Sequence, residues 1–112
     1  MNHKQFGQLS EQKAIQFLQN LNYIILDHNF YSKYGEIDII SQINNTIVFV
    51  EVKSTRYNIM YAAESINKTK QIKIRTTAQY YLELKELKYE DIRFDVILIQ
   101  NNLIKYHLLN CF

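Results

Sequence analysis

The chain has no proline, no tryptophan, two glycines and one cysteine among its 112 residues. Each scarcity carries information. Gly7 and Gly35 are too few and too scattered to build a phosphate-cradling loop, which argues against a Rossmann or P-loop nucleotide enzyme. A single thiol, Cys111, forms no internal disulfide and builds no cysteine-based zinc site. It reads as an incidental thiol. No run approaches the roughly 20 apolar residues that a bilayer crossing requires. The opening MNHKQFGQ lacks the apolar stretch of a signal peptide. A cytoplasmic location and no membrane partner are therefore expected. The net charge is only +2, so a nucleic-acid reading has to rest on where the charges sit.

What is present suffices for one core. Apolar and aromatic residues make up 47% of the chain, and its length predicts a single domain over 1–112. Ala14, Phe17, Leu18 and Leu21 recur at helical spacing within 8–22, and Glu11 falls inside that apolar arc. Residues 23–30, 35–41 and 46–54 read as strands. The third alternates cleanly, with Val48, Val50 and Val52 facing one way and Phe49, Glu51 and Lys53 the other. Residues 62–88 read as mostly helical, with Ile74, Ala78, Tyr81 and Leu82 on the buried arc. Residues 92–99 suit a strand covered on both faces, and 103–109 a last strand. Asn44-Asn45 and Asn101-Asn102 stand between apolar runs and tolerate the left-handed backbone of tight hairpins.

The order is α-β-β-β-α-β-β. The helical crossover makes strands three and four parallel, and the hairpins make the other neighbours antiparallel. The expectation is an α/β domain with a mixed five-stranded sheet, strand order 1-2-3-4-5, between helices on both faces.

Asp38, Glu51 and Lys53 converge in that arrangement. A hairpin centred on Asn44-Asn45 sets position 38 opposite position 51, and Lys53 leaves the same face as Glu51. Two carboxylates about 4 Å apart repel by roughly 4 kcal/mol at an effective dielectric near 20. Either one is protonated or a cation joins them. Two hard oxygen ligands suit Mg²⁺ or Mn²⁺ with water and phosphate in the remaining positions. Lys53 would then orient or deprotonate the attacking water, or offset charge on the phosphate. An E-x-K on a strand is also what an exposed ion pair looks like. The central position of the third strand favours the metal site, yet from the residues alone both readings stand.

The residues also resemble a family signature. D-x₁₂-E-x-K after an N-terminal helix resembles the PD-(D/E)xK nuclease superfamily, whose core has the α-β-β-β-α-β order. GEIDII (35–40), FVEVKS (49–54), RFDVI (93–97) and G-x₃-E-x₂-A (7–14) resemble the YraN family of bacterial endonuclease-like proteins, similar in turn to archaeal Holliday-junction resolvases. The resemblance implies a restriction-endonuclease-like three-layer fold and a metal-dependent endonuclease that hydrolyses phosphodiester bonds in DNA, branched or single-stranded. It implies Asp38 and Glu51 as metal ligands and Lys53 as the catalytic lysine. Glu11 would be a helix acid that approaches the metal and its water shell, with Glu36 as a helper. Gln71 would face the site, although a core-edge amide bonded to backbone fits it equally.

Lys33, Arg56, Lys68, Lys70, Lys73 and Arg75 precede or follow the acidic motifs and are candidate phosphate ligands. Lys68 and Lys73 also fit a solvated helix face. Tyr31, Tyr34 and Tyr57 are candidates for stacking on bases. His3, His28 and His107 lack the spacing of a metal pair and read as structural or exposed. The alternatives to an enzyme are a non-catalytic nucleic-acid-binding module of the same fold and an interaction domain that keeps only the fold. Oligomeric state stays open, a homodimer included.

Overall fold

A computed structural model describes residues 3–112, leaving the side chains of His3 and Lys4 outside the description. In chain order the elements are α1 (His3–Asn20), β1 (Ile24–Ser32), β2 (Gly35–Ile43), β3 (Thr46–Thr55), α2 (Ile59–Glu64), α3 (Lys68–Lys85), β4 (Asp91–Gln100) and β5 (Leu103–Leu108). The five strands form one mixed sheet in the order β1-β2-β3-β4-β5. Only β3 and β4 pair in parallel; the other neighbours are antiparallel. This is the expected α/β architecture. No helix among the described residues is long and apolar enough to cross a membrane.

Asparagine supplies the left-handed backbone that the few glycines do not. Asn22, Asn29, Asn44, Asn101, Asn102 and Asn110 all have positive φ, as does Glu86 at the end of α3. Its short polar side chain makes this conformation affordable for an L-residue. At the end of α1, Tyr23 N–H donates to Leu18 C=O and Asn22 N–H to Gln19 C=O, each at 3.0 Å. This pair of bonds stops a helix when the residue after it turns left-handed.

Alternation along β3 divides the core in two. Val48 and Val50 pack with Ile39, Ile97 and Ile99 beneath Ala14 and Leu18 of α1. Ile47 and Phe49 pack with Ile37, Ile40 and Phe94 beneath Ile74, Ala78, Tyr81 and Leu82 of α3. Covered on both faces, β3 carries Glu51 into the interior and leaves Lys53 half-buried.

The structure corrects one element. The stretch expected as helix over 62–88 is two helices, and the first begins inside the 55–62 segment. Asn58 caps α2 by accepting from Met60 N–H at 2.9 Å. Asn67 caps α3 by accepting from Lys70 N–H at 3.0 Å. The extended backbone at Asn67 (φ −80°, ψ 178°) interrupts the helix. Neither glycine nor proline marks this break. It follows from the competition of an asparagine side chain with the helical backbone.

A polar network sits on the α1 side of β4. Asp95 is fully buried. Arg93 grips it with two bonds of 2.9 Å, His107 Nε2 lies 2.8 Å away, and Asn110 N–H donates to it at 2.9 Å. Arg93 also donates to the Tyr23 hydroxyl at 2.7 Å. His107 is thus structural, as expected. Burial pushes the Asp95 carboxyl up, but the bonds from His107, Arg93 and Asn110 outweigh it and hold the group below its ordinary 3.8. Because its folded pKa is depressed, Asp95 contributes stability above pH 4 that is lost as pH falls through the folded value. Asp95→Ala should cost about 3–5 kcal/mol in urea unfolding at pH 7, since it strands the buried partners. The deficit relative to wild type should shrink toward pH 3; an undiminished deficit there would contradict the assignment.

Candidate active site

The β2–β3 ladder runs from Ile43↔Thr46 to Ile39↔Val50 and stops. This is the register expected from the Asn44-Asn45 turn, and positions 38 and 51 come next beyond it. There Asp38 Oδ2 accepts the Val52 N–H at 2.8 Å. A side chain thus serves a backbone donor that no longer has a strand partner on β2. The alternation of β2 also slips beside this residue. Ile37 and Ile40, three apart, both pack toward α3, whereas Ile39 packs toward α1.

Glu51 is 5% exposed. Burial first, then its hydrogen bond to Asp38 and the Asp38 charge, push its carboxyl up to about 9. The two acids therefore stand side by side, and the protonated form of Glu51 is favoured. The Lys70 ammonium lies 3.7 Å from Glu51 Oε1 and completes the cluster with Lys53. Burial, together with the hydrogen bond to Lys70 and its charge, pushes Lys53 below the ordinary lysine range. For Lys70, burial is outweighed by Lys53, Glu51 and Asp38, and its pKa rises. Of the two lysines, Lys70 holds its proton the more firmly and Lys53 gives its proton up the more readily.

Glu11 approaches from the other side of the sheet, on α1. Burial and the Asp38 charge raise its pKa, and a hydrogen bond from Asn29 partly offsets them. Among the described residues, no three His, Cys, Asp or Glu side chains form a group that would enclose a metal ion by themselves. Glu11 is therefore within the field of the pair without completing a three-carboxylate cage. Two adjacent carboxylates, with water and phosphate for the remaining positions, still match what Mg²⁺ or Mn²⁺ accepts.

The other candidates are dispersed. The Gln71 amide donates to Ile66 C=O at 3.2 Å, which is the core-edge role. The Arg75 guanidinium lies over Phe94 at 5.1 Å, Arg56 over Phe6 at 5.4 Å, and Lys33 Nζ over Tyr34 at 5.2 Å. Among the described residues, none of these three forms an ion pair or hydrogen bond with Asp38 or Glu51, and all three are exposed. Tyr31, Tyr34 and Tyr57 are exposed as well. A cleft of about 470 Å³, lined by Gly35, Glu36, Ser65, Asn67, Lys70 and Lys73 among others, opens beside the pair through Lys70. The sequence marks Lys70 as a candidate phosphate ligand flanking the apolar arc of α3, not as a partner of Glu51. Nothing in the sequence marks Asn29 as the partner of Glu11.

A raised Glu51 pKa has a definite consequence for stability. The protonated form is favoured on folding, so this contribution is complete below about 4.5 and is lost as pH rises through about 9. Glu51→Gln keeps the shape without the charge. At about 1.4 kcal/mol per pKa unit, the variant should exceed wild type by at least about 1 kcal/mol at pH 8. The gain should vanish at pH 4.5. Urea unfolding at the two pH values checks this, and equal stability at both would show the charge to be fully compensated.

Residues 10–99 match the model of the uncharacterised protein family UPF0102. A UPF0102 protein of Persephonella marina is 48% identical over 109 residues, covering 95% of this chain and 91% of its own length. One from Sulfurihydrogenibium is 44% identical and covers 100% and 97%; one from Clostridium tetani is 48% identical and covers 89% and 84%. The matched segment holds both strand acids, both site lysines and Glu11, and the relatives span nearly the whole fold. The chain belongs to the uncharacterised protein family UPF0102, the YraN family.

Proposed function

We propose that this protein is a Mg²⁺- or Mn²⁺-dependent endonuclease acting on DNA, branched or single-stranded. The observation that carries the reading is the hydrogen-bonded Asp38–Glu51 pair on adjacent strands with the depressed Lys53 amine beside it. Perturbed acids and amines gathered at an open cleft are the usual mark of a reactive site. An ion held by the pair would polarise the phosphorus centre and lower the pKa of a bound water.

The chain's own groups have separable tasks. Asp38, fixed by the Val52 amide, presents one carboxylate in a set direction. Glu51 presents the second once its proton is lost. Lys53, as a neutral amine, accepts a proton from the attacking water. The water oxygen forms the new bond to phosphorus, one ester P–O bond breaks, and its electron pair leaves on the departing oxygen, which is then protonated. The products are a phosphomonoester and an alcohol. Glu11 orients water from the α1 side. Exposed Lys33, Arg56 and Arg75 provide peripheral phosphate contacts, while Gln71 braces the loop before α3.

A panel of duplex, single-stranded and four-way-junction DNA tests this. Cleavage should require Mg²⁺ or Mn²⁺ and cease in chelator. Glu51→Ala and Lys53→Ala should each lower the rate by roughly 100-fold or more. Salt-sensitive binding to the same DNA without any Glu51-dependent cleavage would establish the non-catalytic module instead.

A further inference from the structure

Lys70 belongs to two places at once. Its ammonium is 3.7 Å from Glu51 Oε1, and its side chain also lines the cleft with Lys73, Ser65 and Asn67. The separation from Glu51 satisfies an ion pair but is long for a directed hydrogen bond. The field of the carboxyl pair therefore holds the ammonium without locking it. One third of the Lys70 side chain is exposed, so a path toward the cleft is open. A lysine is a compact charge on a flexible stem and can change partners by rotation of that stem.

We propose that Lys70 is the resident counter-ion of the Asp38–Glu51 pair, that a divalent cation displaces it, and that the freed ammonium then holds a phosphate oxygen of the substrate in the cleft. This rests on the metal-dependent reading above. A divalent cation carries twice the charge of the ammonium and repels it at the same carboxylates. The two compete for one position, and the loser has an adjacent destination next to Lys73. Metal binding would thus convert an internal ion pair into a substrate contact. The ligand class is the phosphodiester backbone, which an ammonium meets as a point charge irrespective of base sequence.

Lys70→Met, of similar length and uncharged, separates the two roles, with Lys70→Gln as a second variant and Lys73→Met as the control. Mn²⁺ affinity of the full chain is read by titration calorimetry. Affinity for a labelled single-stranded oligonucleotide is read by fluorescence anisotropy in Ca²⁺ and in chelator. The Lys70 variants should bind Mn²⁺ tighter by roughly fivefold or more, and bind the oligonucleotide in Ca²⁺ more weakly by a similar factor. Lys73→Met should leave Mn²⁺ affinity within about twofold, since surface charges are screened. Unchanged or weaker Mn²⁺ binding in both Lys70 variants overturns the proposal, provided that wild-type binding is lost in Glu51→Gln. If wild type shows no Glu51-dependent Mn²⁺ binding, the metal-dependent reading falls and this inference with it.

Discussion

Where β2 and β3 part, the Val52 amide donates to the Asp38 carboxylate, and the candidate site is arranged around that bond. A backbone donor left without a strand partner in a half-buried position is costly, by about 1–3 kcal/mol. Asp38 removes the cost and is oriented in return. Its carboxylate then stands against Glu51, which burial alone already biases toward the protonated form. The excess negative charge draws in Lys70, and burial together with Lys70 depresses Lys53.

Two buried acids show how differently the fold treats carboxylates. Asp95 is surrounded by donors from Arg93, His107 and the Asn110 backbone, and its pKa falls. Glu51 is buried with another acid among its partners, and its pKa rises. The first is a finished structural device that ties β4 to β5 and to Tyr23, just before β1. The second retains unspent electrostatic energy at a cleft, which an incoming cation can relieve. Stability given up at a reactive site is a common exchange for function.

The architecture brings two otherwise separate helices to this point. α1 delivers Glu11 from one face of the sheet, and α3 delivers Lys70 from the other. The break at Ser65–Asn67 decides where α3 begins and hence where Lys70 falls. Asn67 caps the new helix and Gln71 bonds back to Ile66, so a short irregular segment is held firmly enough to aim a side chain.

Local periodicity and turn chemistry made much of this legible in the residues themselves. The alternation of 46–54 and the Asn44-Asn45 turn determined that positions 38 and 51 come together, because an antiparallel register follows from its turn and its buried face. The apolar arc of α1 singled out Glu11 by its exception. Contacts between elements were decided only by the tertiary structure. No period relates Lys70 to Glu51, Asn29 to Glu11, or Tyr23 to Arg93, since each pair meets through packing of separate elements. The same holds for Arg56, Arg75 and Lys33, which the structure sets against the rings of Phe6, Phe94 and Tyr34. The alternation of a strand specifies which face a side chain leaves by; what waits on that face depends on how the helices are laid over it.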